Sequence, residues 1–192
     1  MHPNTITIEG SGRHIHLSAE HLAALFGADF QLEPKKYLSQ PGEFASASRV
    51  DVVGEKGTIK NVVILGPTRP ATQVELSFSD ARTAGIAPPI RESGQLTGSA
   101  GCTLIGPAGS VQLAEGVIVA KRHIHLTSED AAKMGVADKE IVQVKTEGER
   151  ALSFDEVVCR VSDKYATFMH IDYDEMNAAA LPIPATGIVV KK

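Results

Sequence analysis

The pentapeptide RHIHL occurs twice in this sequence, at Arg13–Leu17 and at Arg122–Leu126, and this repeat limits the possible folds more than any other feature. After each copy the residues predict a strand end that leads into a short helix, because a good N-cap follows at once and a glycine ends the apolar pattern. The N-cap and the terminating glycine are Ser18 and Gly27 in the first copy, Thr127 and Gly135 in the second. The pair of copies indicates an internal duplication.

A second, fainter correspondence lies downstream of each copy. The segment ELSFSD at Glu75–Asp80 aligns with HIDYDE at His170–Glu175, which places Glu75 and His170 at equivalent positions. The segment Pro88–Gly101 is rich in glycine, serine and proline and has the composition of a connection between halves. The sequence therefore predicts a first half over residues 1–100 and a second half over residues 101–192, with the boundary somewhere in residues 88–115.

Short β-rich runs bounded by turn residues recur along the whole chain, among them RVDVV, TIKNVVILG, GVIVA and EVVCRVS. Three stretches have a helical pattern: Ser18–Phe26, the neighbourhood of Ser79–Thr83, and Thr127–Met134. This balance predicts a mainly β protein with short helices, an α+β barrel or sandwich rather than a doubly wound sheet.

Composition excludes several classes of protein. With 192 residues, a net charge of −4, 43% hydrophobic and 22% charged residues, the chain is typical of a globular protein and unlike a nucleic-acid binder. No apolar run approaches the roughly 20 residues that span a bilayer, and the first residues lack a signal-peptide pattern and an amphipathic leader. Cys102 and Cys159 have no CxxC spacing, which favours buried apolar cysteines and a cytoplasmic location.

The repeated histidine pairs predict metal ligation. Residues i and i+2 of a strand project from the same face, about 6.5–7 Å apart along the chain, so two imidazoles can converge on one ion. One further ligand from the downstream strand leaves a coordination position open, as in catalytic zinc sites. The predicted ligand sets are His14, His16 and Glu75 in the first half, and His123, His125 and His170 in the second. A single His-x-His pair often forms only local hydrogen bonds, but its duplication argues against that interpretation.

Several cationic residues are candidates for anion binding. Arg69 follows a buried strand in the segment LGPTRPATQVELS, six residues before Glu75, and a guanidinium there can bind phosphate through paired donors. Arg13 and Arg122 precede the histidine pairs, where a salt bridge is at least as good an interpretation. Weaker anion-binding candidates are Lys35, Lys36, Arg91 and Ser93. Asp172 and Asp174 either orient the imidazoles or cap the next helix, at Asp174.

Six segments in register resemble the phosphate propanoyltransferases of the propanediol-utilisation (PduL) type, a phosphotransacylase family, over nearly the whole chain. They are GRHIHLSAEHLAALFG, KKYLSQPGEFA, ILGPTRPATQVELS, PPIRESG, AKRHIHLTSEDAAKMGV and MHIDYDEMNAA. The resemblance implies interconversion of an acyl-CoA and phosphate with an acyl phosphate and CoA, in a pathway such as propanediol degradation. It also implies two β-barrel-like domains with two zinc ions at their interface, held by the six residues that the repeat selects.

The resemblance further assigns the phosphate-holding arginine to Arg69 and contacts with CoA or phosphate to Ser11, Lys36, Leu65, Ser93 and Asn177. Two features depart from the family pattern. No amphipathic leader precedes the first strand, which favours a free cytoplasmic enzyme over microcompartment encapsulation. Val63 stands where some relatives have a CoA-contacting arginine, so the nucleotide pocket is not carried over.

The predicted mechanism is direct transfer in a ternary complex, since no activated serine or cysteine nucleophile is evident. Because the carboxylate-bearing set lies nearer Arg69 in sequence, it is predicted to be the one that meets the substrate. Two alternatives remain open at the level of sequence: a two-zinc hydrolase of thioesters or phosphoesters, and a non-catalytic binding module with structural zinc. Exposed strand edges make a homodimer plausible.

Overall fold

The computed structural model describes residues 3–192. Its strands are β1 Thr5–Ser11, β2 His14–His16, β3 Pro34–Tyr37, β4 Phe44–Val53, β5 Thr58–Gly66, β6 Gln73–Glu75, β7 Ile90–Arg91, β8 Ala100–Ile105, β9 Ser110–Ala120, β10 His123–Leu126, β11 Ile141–Thr146, β12 Ser153–Val161, β13 Phe168–Asp172 and β14 Ala185–Lys191. Its helices are α1 Ala19–Phe26, α2 Phe78–Ala84, α3 Ser128–Met134 and α4 Tyr173–Ala178. The predicted mainly β fold with short helices is confirmed. No helix within residues 3–192 is long and apolar enough to cross a membrane.

The chain forms two compact units, here called the terminal and the central unit. The terminal unit contains the described residues up to Ser11, the turn segment Ser39–Pro41 and Lys121–Lys192. Its sheet is a closed barrel with the strand order β1-β13-β10-β12-β11-β14. Ile124, Leu126 and Met169 are fully buried inside it. The His-x-His strand β10 lies between β12, which is parallel to it, and β13, which is antiparallel.

The central unit contains Gly12–Leu38 and Gly42–Ala120. Its strands also close a ring, in the order β4-β5-β2-β6-β9-β8, while β3 pairs with the outer side of β4 and β7 with β9. Ile15, Leu17 and Ile64 are buried in its core. The His-x-His strand β2 again lies between a parallel neighbour, β5, and an antiparallel one, β6.

The two rings have the same pattern of parallel and antiparallel pairs. The compact units nevertheless differ from the predicted halves 1–100 and 101–192, because β1 and β9 pair outside their own half. Strand β1 precedes the central His-x-His strand but pairs with β13 and β14 of the terminal barrel. Strand β9 precedes the terminal His-x-His strand but pairs with β6 and β8 of the central barrel. Each repeat thus supplies its first strand to the other barrel, and the compact units do not follow a single cut in the sequence. The evolutionary duplication stays a prediction.

The predicted caps form as the residue types require. Ser18 and Thr127 have extended backbones and accept hydrogen bonds from His21 and Asp130, at the third positions of α1 and α3. Gly135 ends α3 in the left-handed conformation that glycine adopts without strain. The helix α4 was not among the three predicted helical stretches, and its N-cap is Asp172 rather than the suggested Asp174. Asp172 and Glu175 form a reciprocal capping box there.

In each unit, the threonine just before the strand of the predicted third ligand is hydrogen-bonded to the N-cap residue of the helix that follows the histidines. The backbone N–H of Ser18 donates to Thr72 Oγ1 at 2.9 Å, and that of Thr127 donates to Thr167 Oγ1 at 3.2 Å. Thr72 also contacts the Nδ1 atom of His21 at 2.8 Å. These bonds fix where β2 and β10 end, and therefore where their histidines lie.

Replacement of Thr72 by valine is expected to destabilise the protein by about 1–3 kcal/mol, because the N–H of Ser18 and the ring of His21 lose a buried partner. Thr72 is only 6% exposed, so water cannot take the hydroxyl's place. Denaturant unfolding of Thr72→Val beside Thr97→Val, which changes an exposed loop residue, measures the difference. Equal free energies of unfolding for the two variants would contradict this role.

Candidate functional site

Three predicted metal ligands meet in the central unit. His14 and His16 project from the same face of β2, and Glu75 on β6 is the register partner of His14. Directly paired residues on antiparallel strands have side chains close enough to contact. One ligand atom from each of the three side chains lies within 4.8 Å of the others. The two imidazoles and the carboxylate that the sequence groups together therefore lie close together in the structure.

The hydrogen bonds of this triad suit a bound cation. The Nδ1 atom of His14 lies 2.8 Å from the carbonyl oxygen of Gly12, which makes Nδ1 the protonated nitrogen and leaves Nε2 facing Glu75 Oε2 at 3.5 Å. A backbone carbonyl that orients an imidazole in this way is the usual support of a metal ligand. His16 Nδ1 is buried and has no hydrogen-bond partner among the residues that the structure describes. Such a nitrogen is costly to bury unless something binds it.

The protonation of the two histidines differs. Burial acts to lower the pKa of His14, but the charge and the hydrogen bond of Glu75 together outweigh it, and the pKa is raised. Burial lowers the pKa of His16 to about 2, and the neighbouring His14 adds to the effect. His16 is therefore a neutral imidazole at physiological pH, the form that ligates metals. The donor set of two imidazoles and a carboxylate fits Zn²⁺.

The second predicted set forms a cluster of rings in the terminal unit. His123 on β10 is the register partner of His170 on β13, the same relation that joins His14 and Glu75. The ring centroids of His123, His125 and His170 are 4.7–5.3 Å apart. His123 Nδ1 lies 2.9 Å from the carbonyl oxygen of Lys121, which repeats the support of His14 by Gly12. The three imidazoles are thus arranged like the first triad, with a histidine in place of the carboxylate.

Other side chains surround this second cluster. The ring of Tyr165 lies 4.2 Å from that of His125, centroid to centroid. His170 has Gln40 Nε2 at 3.4 Å and a carboxylate oxygen of Glu9 at 3.9 Å. Gln40 is held by both the N–H and the C=O of Ala166. These contacts restrict the orientation of the imidazoles from several directions.

Arg69 lies in a hydrogen-bonded network that includes the first triad. Its Nη2 atom pairs with Glu43 at 2.8 Å, and its Nη1 atom donates to Ser93 Oγ at 3.1 Å. Gln73 Nε2 donates both to Ser93 Oγ at 2.7 Å and to Glu75 Oε1 at 2.5 Å. A continuous chain of hydrogen bonds therefore joins the guanidinium to the carboxylate of the triad. The structure therefore brings Ser93, which is distant in sequence, to Arg69 and Glu75.

The two arginines of the repeated pentapeptide form ion pairs, one of the two interpretations that their sequence positions allow. Arg13 pairs with Asp80 of α2 at 2.8 Å, and Arg122 pairs with Glu175 of α4 at 2.7 Å. Asp80 and Glu175 are the last residues of the two segments that align in sequence. Each pair therefore ties a His-x-His strand to the helix that follows the third ligand.

The remaining predicted contacts occupy varied positions. Ser11 ends β1 as the register partner of Asp172, and Leu65 on β5 is the partner of His16. Lys36 is exposed on β3, and Asn177 is exposed on α4. The weaker candidates Lys35 and Arg91 lie on β3 and β7. Their roles in binding CoA or phosphate stay predictions.

Sequence reasoning did not select Gln73, Glu43, Gln40, Glu9 or Tyr165. A signal existed for Gln73, because it precedes Glu75 by two residues and must share its face of β6. The others come from distant segments of the chain and carry no local pattern. Only the folded barrels bring them to the histidines and to Arg69.

Comparison with known proteins identifies relatives over almost the entire chain. The sequence model of the family described as phosphate propanoyltransferase matches residues 7–182. A protein of Enterococcus faecalis named phosphate propanoyltransferase is 53% identical over 188 residues, which cover 98% of this chain and 89% of that protein. Proteins with the same name from Listeria monocytogenes and Thermotoga maritima are 51% and 50% identical, covering 97% and 92% of this chain and 88% and 84% of theirs.

Proposed function

The chain belongs to the phosphate propanoyltransferase family, and on that premise we propose that it is a zinc-dependent phosphotransacylase. It would interconvert a short-chain acyl-CoA and phosphate with the acyl phosphate and CoA, with propanoyl or acetyl as the acyl group. The observation that carries the proposal is the hydrogen-bonded chain from Arg69 through Ser93 and Gln73 to Glu75. It couples the proposed phosphate-binding guanidinium to the proposed metal-binding triad, the two parts of the site that the proposed mechanism uses.

Two zinc ions per chain are proposed. His14, His16 and Glu75 would hold one, and His123, His125 and His170 the other. With the remaining coordination position open, each site would supply Lewis-acid polarisation of a thioester carbonyl and a soft partner for the leaving thiolate. The convergence of the first triad supports the first site, as does the buried Nδ1 of His16, which has no hydrogen-bond partner within residues 3–192. The matching register and ring spacing of the three histidines support the second.

Arg69 would bind and orient the attacking phosphate. Its guanidinium presents paired donors that match phosphate oxygens, and it is about one-third exposed, so a ligand can reach it. In the free protein Glu43 neutralises it from one side and Ser93 positions it from the other. Phosphate held there would be the nucleophile for the acyl carbon, and the guanidinium would stabilise the negative charge that develops during attack. The first triad is therefore the one assigned to the substrate.

Direct transfer between the bound substrates fits the nucleophiles of the chain. Both cysteines are buried and free of disulfide bonds. Burial raises the pKa of Cys102 to about 12 and that of Cys159 to about 11, so neither thiol forms the thiolate that attacks a thioester. Holding phosphate and the acyl group side by side replaces a covalent intermediate as the source of rate enhancement.

The CoA contacts are proposed at the matching positions of the family pattern. They are Ser11, Lys36, Leu65, Ser93 and Asn177. The exposed ammonium of Lys36 suits a CoA phosphate, and the half-buried hydroxyl of Ser93 lies beside Arg69. The two free cysteines support a cytoplasmic location, and a homodimer remains a prediction.

The function is tested by measuring CoA release from propanoyl-CoA with and without phosphate. We expect release only when phosphate, or arsenate in its place, is present, and the formation of propanoyl phosphate with phosphate. Comparison of acetyl-, propanoyl- and butanoyl-CoA then identifies the preferred acyl group. Release at the same rate without phosphate would overturn the proposal in favour of a two-zinc hydrolase. No release under either condition, from protein that binds zinc, would favour a non-catalytic zinc-binding module.

A further inference from the structure

Gln73 is a buried amide between the triad and the phosphate-binding arginine. It lies on β6 and only 2% of its surface is exposed. The N–H of Gly94 donates to its Oε1 atom at 2.7 Å, which settles which end of the amide is oxygen. Nε2 therefore faces the other way, and its two hydrogens are donated to Glu75 Oε1 and to Ser93 Oγ. Every polar group of this side chain is engaged.

We infer that Gln73 is a positioning residue that couples the metal ligand Glu75 to the phosphate-binding pair Arg69 and Ser93. The inference rests on the proposed function. It adds a residue that acts through Glu75 and Ser93 rather than by binding phosphate or metal itself. On the metal side, Gln73 occupies the Oε1 atom of Glu75, while Oε2 is the oxygen that faces His14 at 3.5 Å. The amide thus selects which carboxylate oxygen is presented to the two imidazoles.

On the phosphate side, Gln73 controls the hydroxyl group of Ser93. A serine oxygen has two lone pairs and one hydrogen. Ser93 Oγ accepts from Gln73 Nε2 at 2.7 Å and from Arg69 Nη1 at 3.1 Å, which occupies both lone pairs. Its own hydrogen is then left to donate to a ligand beside the guanidinium. Gln73 therefore converts Ser93 into a dedicated donor next to Arg69, suited to a phosphate oxygen.

The terminal unit shows that this coupling belongs to one site only. Gln73 is the register partner of His16 on β2, and the residue in the same relation to His125 on β10 is Phe168. A phenyl ring neither donates nor accepts the bonds that Gln73 makes. The two clusters thus have equivalent ligand positions, but Phe168 cannot make the connection that Gln73 makes between the Glu75 cluster and Arg69.

The test compares Gln73→Leu with the wild-type protein in zinc binding and in steady-state kinetics. Leucine fills a similar volume and removes both donors, so we expect the affinity for one zinc ion per chain to fall about 10–100-fold, the usual effect of losing a partner of a metal ligand. The KM for phosphate should rise about 10-fold while the KM for propanoyl-CoA stays unchanged. Gln112→Leu, an exposed change on β9, is the matched control.

A double-mutant cycle with Ser93→Ala separates positioning from a merely structural role. If Gln73 acts on phosphate through Ser93, Gln73→Leu should raise the KM for phosphate much less in the Ser93→Ala background, whereas zinc affinity should fall equally in both backgrounds. Equal effects on the KM for phosphate in both backgrounds would overturn the inference. Should Gln73→Leu not fold, as judged by circular dichroism, the unbranched Gln73→Met replaces it.

The outcomes also distinguish this inference from the proposed function. If the wild-type protein releases CoA in a phosphate-dependent reaction and Gln73→Leu behaves like Gln112→Leu, Gln73 has no positioning role and the function stands. If the wild-type protein shows no phosphate dependence, the proposed function fails and the phosphate arm of the inference fails with it. Zinc affinity, measured by competition with a chelator, still decides the Glu75 arm in that case.

Discussion

Replacement of His14 by alanine is expected to lower bound zinc by one ion per chain and to reduce phosphate-dependent CoA release by more than about 100-fold. Loss of a residue that only hydrogen-bonds a metal ligand lowers metal affinity or activity by up to about 100-fold. His14 is proposed as a ligand itself, so its loss should have a larger effect. Its Nε2 atom faces Glu75 Oε2 at 3.5 Å with Nδ1 held by Gly12, so alanine removes the nitrogen that is oriented toward the proposed site. Metal analysis of purified protein and the CoA-release assay measure both effects.

Two further variants make the experiment specific. His123→Ala should also remove one zinc ion, from the second proposed site, so the double variant should bind none. His21→Ala should leave zinc content unchanged, because the His21 ring contacts Thr72 and its backbone N–H donates to Ser18, and neither partner is a proposed ligand. Full zinc content in His14→Ala, with the protein folded by circular dichroism, would show that the triad does not bind metal.

Replacement of Arg69 by alanine is expected to lower kcat/KM for phosphate by about 100–1000-fold, the usual cost of removing one preorganised donor from a developing negative charge. Zinc content should not change, since Arg69 contacts Ser93 and Glu43 rather than the ligands themselves. Arg69→Lys should recover part of the loss, because it restores the charge but not the paired donors. Phosphate titrations at saturating propanoyl-CoA, with zinc analysis of the same samples, separate the two effects.

Arg82→Ala is the matched control, because Arg82 is exposed on α2 and lies outside the hydrogen-bonded network of the triad. It should have wild-type kinetics and zinc content. A parallel loss of zinc and activity in Arg69→Ala would mean that Arg69 holds the loop together instead of binding phosphate. An unchanged requirement for phosphate would exclude Arg69 from the phosphate site.

The pairing of Glu75 with the first histidine pair could be predicted because an internal repeat provides its own alignment. Once RHIHL is matched to RHIHL, the weaker match of ELSFSD to HIDYDE places Glu75 and His170 at equivalent positions downstream of the two copies. Strand periodicity then requires each histidine pair to share a face. The caps at Ser18 and Thr127 followed for the same reason, since their effect on the backbone is local.

The division of the chain could not be predicted in this way. Hydrogen-bonded pairing between strands depends on partners that are far apart in sequence, and nothing in β1 or β9 indicates which barrel each will join. The structure places β1 beside β13 and β14, and β9 beside β6 and β8. A linear boundary near residue 100 therefore matches the repeats but not the compact units.

The local sequence thus determines which residues can bind metal or phosphate and how they group into two sets. Spacing along a strand fixes which side chains share a face, and a cap fixes where a helix begins, both within a few residues. The network of Glu43, Arg69, Ser93 and Gln73 arises only in the folded barrel. Its members come from three separate segments, with Arg69 and Gln73 in the same one. A hydrogen bond requires partners within about 3 Å in a set orientation, and long-range strand pairing supplies this here. Tertiary structure therefore decided which of the two proposed metal-binding clusters is joined to the arginine proposed to bind phosphate.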